Sequence, residues 1–513
     1  MKQKNSAPNV VLFMVDQLSA RWLEAARAGA VPVPNIERLA ARGVMFSNAF
    51  TSNPVCQPAR STIATGLTSR GHGVIENGYE LSPELPTFMH ALQQGGWRTG
   101  ALGKLHFRSH YRDSHLNDNY RAYGFDVVHN TEDARGGEWL DWVAAEHPDQ
   151  FDNVLATIWA SHIPWYAEYG PDKVDLAERI RRAREGLPGT SGGWYPLPFP
   201  AEVSQTEWIT RHALEFICET PADQPLLVQV SYVQPHGPFH PPAEYLDRVD
   251  ESKIPEIAPA EWFDNPDAPA YYRQVEKPRY MEGCRRYYFA DIAHLDDQLG
   301  KVLDALQDAG RIDNTFIIFT SDHGEMLGDH GLRGKEEHHY DACIRIPLMI
   351  AGPGLQKGVV RDEMVQLEDI CPTVLDATGQ RLPLMPTMGP DFADKADTIP
   401  VLPGKSLLPL CRGETVSDWR SAAYVGSFNA VWSMNPADWA RTIRTHQYRY
   451  TLFACNNGEQ LFDLQADPQE QNNLAADPVF AKVRQLLRDQ LLELIIMQDY
   501  PKTRRSLFAL GVH

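Results

Sequence analysis

The chain has 513 residues, 43% of them hydrophobic and 22% charged, a composition typical of a folded globular protein and not of a disordered one. Its 67 acidic residues outnumber the 48 lysines and arginines, and the net charge of −19 disfavours nucleic acid as a partner. The seven cysteines show no CxxC or CxxH spacing. The sequence therefore predicts neither a zinc site nor a disulfide framework, and it favours a reducing compartment.

Four continuous apolar runs predict strands buried on both faces. They are residues 10–15, 226–233, 315–320 and 346–351. Apolar residues at helical spacing over 292–306, followed by Gly310, predict a helix between the second and third runs. This alternation predicts an α/β fold with a large, mostly parallel sheet flanked by helices. The first run is too short for a signal peptide or a membrane span, so we expect a cytoplasmic protein without membrane association, or a periplasmic one if a leader has been removed.

The chain changes character towards its C-terminus. Two segments rich in proline and aromatic residues, 187–200 and 253–278, predict loop insertions that wall a pocket. After a proline-rich linker, two short apolar runs (448–453 and 460–464) and an amphipathic segment (483–496) predict a smaller α+β subdomain. We therefore expect three parts: a catalytic α/β domain at 1–384, the α+β subdomain at 385–498 and a tail at 499–513. The tail predicts either an arm that reaches a neighbouring subunit of a homo-oligomer or, equally, a segment that packs on its own chain.

Polar residues follow three of the predicted strands: Asp16 with Gln17, His236, and Asp322 with His323. In parallel sheets ligands bind at the carboxyl ends of the strands, so we expect these side chains to lie together. Mainly oxygen ligands with one imidazole suit Ca²⁺, Mg²⁺ or Mn²⁺. The residues alone leave a second interpretation open, in which both aspartates cap turns or helices.

Cys56 opens the run Cys-Gln-Pro-Ala-Arg, in which the position of Pro58 predicts a helix that begins close to the cysteine. A helix N-terminus favours an anion, and Arg60 lies one turn further along the same face. Lys104 and His106 are two residues apart and would share one face of an extended segment. Each of these residues, like His236 and Lys335, also has an ordinary interpretation as a buried or solvated side chain.

Taken together, the residues and their order resemble the sulfatase family of the alkaline phosphatase superfamily. This family includes arylsulfatases, choline sulfatases and phosphonate monoester hydrolases. In its Cys-x-Pro-x-Arg motif, here Cys56 to Arg60, the cysteine is oxidised to formylglycine. The segments that match the family run almost from end to end: 8–17, 34–46, 56–66, 103–106, 234–238, 320–331, 365–379, 404–410 and 461–475.

The resemblance implies a formylglycine- and metal-dependent hydrolase of sulfate monoesters that forms a covalent sulfated formylglycine hydrate. The implied metal ligands are Asp16, Gln17, the oxygen at position 56, Asp322 and His323. Its catalytic residues would be Cys56, Arg60, Lys104, His106, His236 and Lys335. Its substrate contacts would be Asn77, Lys104, His236 and Lys335. In these roles Arg60 stabilises the hydrate, His106 acts on it as a base, and His236 and Lys335 bind the sulfuryl oxygens or the leaving oxygen.

Two positions depart from the pattern of many sulfatases. Gln17 stands where those enzymes have a second Asp, and His323 stands where they have Asn. The Asp-Gln and Asp-His pairs resemble choline sulfatases and phosphonate monoester hydrolases, so the nearest alternative is a phosphonate monoester or phosphodiester hydrolase that uses the same site. A remote alternative is an inactive binding protein on this scaffold. We expect one divalent cation, with Ca²⁺ favoured over Mn²⁺ or Mg²⁺, a small anionic ester as substrate, and a formylglycine-generating enzyme during maturation.

Overall fold

The computed structural model describes residues 7–109, 117–158, 176–187, 193–260, 282–335, 338–382, 402–428, 436–455 and 458–498. The described strands are β1 (Asn9–Val15), β2 (Gly43–Phe46), β3 (Ala49–Phe50), β4 (Arg98–Gly103), β5 (Val127–Asn130), β6 (Leu226–Ser231), β7 (Thr315–Ser321), β8 (Leu348–Ala351), β9 (Val359–Arg361), β10 (Val365–Gln366), β11 (Ala422–Ser427), β12 (Ala440–Thr445), β13 (Tyr448–Phe453) and β14 (Glu459–Asp463).

The described α-helices are α1 (Ala20–Ala25), α2 (Pro34–Arg42), α3 (Cys56–Thr65), α4 (Ser69–His72), α5 (Phe88–Gln94), α6 (Asn117–Arg121), α7 (Glu138–Glu146), α8 (Phe151–Leu155), α9 (Leu176–Gly186), α10 (Gln205–Glu219), α11 (Ala243–Leu246), α12 (Glu282–Asp308), α13 (Asp341–Ile344), α14 (Ile370–Thr378), α15 (Leu408–Cys411) and α16 (Ala481–Met497). Among the described helices none is long and apolar enough to cross a membrane.

The main sheet has eight strands in the order β5-β4-β6-β1-β7-β8-β2-β9. All of its neighbouring pairs are parallel except the two that β8 makes, with β7 and β2. The prediction of a mostly parallel sheet is therefore confirmed. β8 runs antiparallel to both of its neighbours, β7 and β2.

Helices cover both faces of this sheet, as the apolar runs predict. Alternate residues of β1 belong to two separate cores: Val11 and Phe13 pack on one side, and Leu12 and Met14 on the other. The first core contains residues of α10 and α12, and the second contains residues of α3, α5 and α14. Burial on both faces explains why β1 carries no polar side chain between Asn9 and Asp16.

The C-terminal part forms a second sheet, antiparallel, in the order β11-β12-β13-β14. Leu487 and Leu491 of α16 pack on Ile443 and Tyr450 of this sheet, so the predicted α+β character is confirmed. The predicted strands at 448–453 and 460–464 correspond to β13 and β14. The predicted domain boundary at 384–385 and the tail at 499–513 lie outside the described residues, as do residues 188–192 and 261–278 of the predicted insertions, and these remain predictions.

Candidate active site

Four neighbouring strands, β4, β6, β1 and β7, run parallel and end at the same edge of the main sheet. The residues that follow β1 are Asp16 and Gln17, and those that follow β7 are Asp322 and His323. Beyond the other two strands stand Lys104, His106 and His236. The topology therefore brings together side chains that are hundreds of residues apart in sequence, as expected at this edge of a parallel sheet.

Cys56 is the first residue of α3, as the sequence predicts, and its side chain is completely buried. Its Sγ atom lies 2.7 Å from Lys335 Nζ, 3.2 Å from His323 Nε2 and 4.0 Å from Asp16 Oδ1. The start of this helix is capped from a distance by Asn77, whose Oδ1 accepts the backbone N–H of Gln57 at 3.1 Å. Position 56 thus lies at the N-terminus of α3, next to the Lys335 ammonium group and the candidate metal ligands.

Arg60 holds the two aspartates. Its Nε donates to Asp322 Oδ2 at 2.8 Å and its Nη2 to Asp16 Oδ2 at 3.1 Å. Its Nη1 donates to the carbonyl of Lys104 at 2.7 Å and to Ser231 Oγ at 2.9 Å. The guanidinium therefore engages one oxygen of each carboxylate, which leaves the two Oδ1 atoms to face His323 and Cys56.

The remaining donor atoms fit a divalent cation. One atom each from Asp16, Cys56, Asp322 and His323 lies within 4.8 Å of the others, and both Oδ1 atoms are 3.7 Å from His323 Nε2. Ligands at right angles around Ca²⁺, at its usual 2.3–2.6 Å, are about 3.3–3.7 Å apart. The His323 Nδ1 atom lies 3.0 Å from the carbonyl of Gly324, a contact that turns Nε2 towards the carboxylates.

Gln17 has a left-handed backbone conformation, with φ at 65°, which residues other than glycine rarely adopt. Its N–H donates to Asp322 Oδ1 at 3.1 Å, and its carbonyl accepts the Tyr288 hydroxyl at 2.7 Å. The side-chain Nε2 donates to the Glu325 carboxylate, and Oε1 lies 3.4 Å from Lys335 Nζ. Backbone strain of this kind is typical of functional sites, where the surroundings hold the residue in place.

Lys104 and His106 contact two acidic residues that the sequence analysis missed. Lys104 Nζ lies 2.5 Å from Asp16 Oδ2 and 2.9 Å from Asp133 Oδ2. His106, whose φ is 52°, donates its backbone N–H to Glu132 Oε1 at 2.9 Å, and its side chain helps to lower the pKa of the Cys56 thiol. Both acidic residues follow β5, whose four residues Val-Val-His-Asn are too short a run to predict a strand. The sequence therefore offers no clear signal for these two residues.

Two of the candidate ligands, Cys56 and Asp16, have lowered pKa values. Burial raises the pKa of the Cys56 thiol, but the charges of Lys104, Lys335 and His323 outweigh it, so this pKa lies well below its usual 9.0. Burial and Cys56 also raise the pKa of Asp16, whereas Lys104, His236 and Arg60 lower it, and the result is a pKa of about 2. Metal ligands must be deprotonated to bind, so these shifts favour a cation site.

His236 is buried, with 8% of its surface exposed, and its Nδ1 lies 2.8 Å from the carbonyl of Gly237. It is one of the groups that lower the pKa of Asp16. Asn77 is half-buried, and its neighbour Tyr79 is 46% exposed, so this part of the site borders solvent. The structure thus gathers the predicted site residues around position 56, while the roles assigned to them remain predictions.

Comparison with known proteins assigns the chain to a family. The profile described as "Sulfatase" matches residues 8–380, which is more than two thirds of the chain. The chain belongs to the sulfatase family. A second profile, described as "N-sulphoglucosamine sulphohydrolase, C-terminal", matches residues 328–497 of this sulfatase.

The relatives of this sulfatase cover nearly its whole length. An arylsulfatase from Clostridium perfringens is 27% identical over 95% of this chain and 94% of its own, and a choline-sulfatase from Rhizobium meliloti is 27% identical over 92% and 83%. Among solved structures, a phosphonate monoester hydrolase from Silicibacter pomeroyi superimposes with a TM-score of 0.74, at 25% identity over 96% of each chain. The protein is therefore a hydrolase of the sulfatase family, in which a divalent metal ion and formylglycine are typical.

Proposed function

We propose that the protein hydrolyses sulfate monoesters, with a formylglycine at position 56 and one divalent cation, Ca²⁺ before Mn²⁺ or Mg²⁺. One observation carries the proposal: Cys56 begins a helix and lies within 4.8 Å of two carboxylates and an imidazole. A sulfatase whose cysteine stood elsewhere would lack a nucleophile beside its metal. Maturation would require a formylglycine-generating enzyme that acts on the segment from Cys56 to Arg60.

The reaction would need two groups that the encoded residues do not supply: a bound cation and formylglycine. A cation held by Asp16, Gln17, Asp322 and His323 would lower the pKa of a coordinated hydroxyl and neutralise substrate charge. Formylglycine would supply a hydrated aldehyde, whose two hydroxyl groups allow attack with one and release of sulfate by loss of a proton from the other. The donor set suits these tasks because the pKa of Asp16 is lowered to about 2 and its Oδ1 faces position 56.

The protein's own cations would bind and orient the sulfate group. Lys335 Nζ lies 2.7 Å from the Cys56 sulfur. Lys104 forms an ion pair with Asp16, and His236 lowers the pKa of the same aspartate. Positive groups fixed in a buried site stabilise the equatorial oxygens of a substrate with little reorganisation. His106, in contact with the Cys56 side chain, is placed to accept a proton there, and His236 or Lys335 would assist the leaving oxygen.

Asn77 would contribute through its amide group. Its Oδ1 is already engaged by the backbone N–H of Gln57, so the end that remains for an anion is Nδ2. An N–H donor at the half-buried edge of the site suits an ester oxygen of the substrate.

A phosphonate monoester or phosphodiester hydrolase remains the second candidate. The pairs Asp16-Gln17 and Asp322-His323 resemble that group, and one of its members superimposes on almost the entire chain. Lys104 and His106 favour sulfate, because the loop Gly-Lys-Leu-His resembles the sulfatase version of this segment. Since sulfate monoesters and phosphonate monoesters both carry one negative charge, the same cations can serve either substrate.

Parallel measurement of kcat/KM on an aryl sulfate, an aryl phosphonate monoester and an aryl phosphodiester tests the proposal. We expect the aryl sulfate to be preferred by about tenfold or more, a difference of about 1.4 kcal/mol in transition-state stabilisation. Cys56→Ala should abolish turnover of all three, and mass spectrometry should find formylglycine in the active preparation. A tenfold preference for the phosphonate would refute the sulfate assignment, and an unmodified thiol in a fully active sample would refute the nucleophile.

A further inference from the structure

Glu325 is a buried acidic residue to which neither the sequence nor the proposed mechanism gives a role. It is 2% exposed and lies two residues after His323. Its Oε2 accepts the side-chain Nε2 of Gln17. Its Oε1 accepts the backbone N–H groups of Leu327, at 2.9 Å, and Gly334, at 2.6 Å. One carboxylate thus joins a candidate metal ligand to the loop that precedes Lys335.

The contact with Gln17 matters because an amide has two different ends. A carboxylate at this position could offer either oxygen to a cation, whereas Gln17 can do so only with Oε1, and a rotated amide would present an NH₂ group. By accepting from Nε2, Glu325 turns Oε1 the other way. That oxygen lies 3.4 Å from Lys335 Nζ, the ammonium group that also contacts Cys56 and His323. Oε1 therefore faces the cluster of candidate ligands.

We propose that Glu325 is a positioning residue that fixes the ligating end of Gln17 and, through the same carboxylate, the start of the loop that carries Lys335. The inference rests on the proposed metal site. The Glu325 carboxylate can only accept hydrogen bonds, so it holds the NH₂ group of Gln17 and leaves Oε1 for the cation. Replacing a residue that hydrogen-bonds a metal ligand typically weakens metal affinity by about 10–100-fold.

The substitution Glu325→Gln exposes the constraint, because it keeps the size of the side chain but converts one acceptor into a donor. All three groups that face the carboxylate are N–H donors. The new NH₂ group must therefore face either Leu327 and Gly334, which loosens the loop, or Gln17, which rotates the amide. In the first case N–H donors oppose each other in a buried place, and in the second the NH₂ group of Gln17 replaces Oε1 at the cation site.

The double variant Gln17→Glu with Glu325→Gln exchanges donor and acceptor and keeps the charge of the pair. The glutamine at 325 can accept from both backbone N–H groups with its oxygen and donate its NH₂ group to the glutamate at 17. The second oxygen of that glutamate then faces the cation. Gln17→Glu alone would set two buried carboxylates against each other, so the two substitutions should be strongly non-additive.

The test is isothermal titration of the full-length protein, freed of metal by a chelator, with Ca²⁺ and with Mn²⁺. We expect Glu325→Gln to raise Kd by about 10–100-fold and the double variant to return it to within about tenfold of the wild type. Melting curves in chelator report folding separately, and if Glu325→Gln does not fold, the double variant must still fold and bind. An unchanged Kd in Glu325→Gln, or a double variant no better than the single one, would refute the positioning role.

Asp322→Asn separates this inference from the proposed function. It removes a candidate ligand without changing either partner of the side-chain contact between Gln17 and Glu325, so it should abolish titration heats if the metal site exists. Binding in the wild type, loss in Asp322→Asn and no change in Glu325→Gln would overturn the role of Glu325 alone. A wild type that binds neither cation would overturn the metal site and the inference with it.

Discussion

Arg60 connects more of the site than any other side chain described above, because its planar group makes contacts in four directions. It bonds both aspartates, a backbone carbonyl and a serine hydroxyl, and it is 1% exposed. A lysine would keep the charge but would offer three donors from a single point. The planar guanidinium group, and not its charge alone, therefore sets the separation of the two Oδ1 atoms. That separation in turn sets the shape of the candidate metal site.

Arg60→Lys should lower kcat/KM by about 100-fold or more, a loss comparable with that of a fixed donor in other active sites. The reason is that one ammonium group cannot bond Asp16 and Asp322 at their present separation together with Ser231. The measurement is initial-rate kinetics on an aryl sulfate, with activity referred to folded protein by circular dichroism.

Arg420→Lys is the matched control, because Arg420 also forms a two-pronged pair with a buried aspartate, Asp369, in the core that includes α14. It should reduce thermal stability and leave kcat/KM of the folded protein within about twofold, since it lies outside the site. An activity of Arg60→Lys within tenfold of the wild type would contradict the geometric argument.

Strands could be predicted from the sequence where an apolar run is long and is not interrupted by polar residues or glycine. The strands β1 and β7 are continuous apolar segments buried on both faces, and the sequence predicts both within one residue. β4 contains two glycines and an arginine, and β5 has four residues, so neither stands out, although both lead to site residues. The apolar run of β8 indicates a buried strand but does not reveal that the strand is antiparallel to both of its neighbours.

The site shows the same division. Residues with a distinctive motif, such as Cys56 and Arg60, can be found from sequence because their spacing is specific. Glu132, Asp133 and Glu325 act through contacts with other residues, and those contacts exist only once strands far apart in sequence are neighbours. Similarly, no pattern indicates that the C-terminal sheet reaches the loop after Lys335, which the hydrogen bonds of His339 show.

His339 ties that loop to the second sheet. Four residues after Lys335, its ring nitrogens contact Thr442 Oγ1 of β12 at 2.7 Å and Ser427 Oγ of β11 at 2.9 Å. His339→Phe keeps a flat ring but removes both hydrogen bonds, which should cost about 1–3 kcal/mol of stability. Because Lys335 lies nearby in the chain, we expect kcat/KM to fall by roughly 10–100-fold, as for other small misplacements of catalytic groups.

The control for this variant is His446→Phe, the same exchange at an exposed position between β12 and β13. It should leave both the melting temperature and the activity unchanged. If His339→Phe lost stability but kept full kcat/KM per folded molecule, the second sheet would support the fold without positioning Lys335.

The molecule as a whole combines an acidic chain with a locally cationic site. Its net charge is −19, yet Arg60, Lys104 and Lys335 stand around two aspartates and Cys56 at the centre. Exposed charges are screened beyond about 8 Å at physiological ionic strength, whereas buried ones are screened much less. An anionic ester at position 56 therefore meets the buried cations more strongly than the distant acidic surface, and Lys104 and Arg60 also lower the pKa of Asp16 against the effect of burial.

The candidate ligands come from positions 16, 56 and 322, which only the folded chain brings together, so a bound cation must stabilise the native state against the unfolded one. At a free Ca²⁺ concentration 100-fold above Kd the gain is about 2.7 kcal/mol, or roughly 2–3 °C in Tm for a chain of this size. Scanning calorimetry of chelator-treated protein with and without Ca²⁺ measures it. Asp322→Asn should lose this increment, because the remaining ligands would no longer surround the ion, while its Tm in chelator reports any change in the fold itself. Equal Tm values of the wild type in Ca²⁺ and in chelator would show that no cation links the three segments.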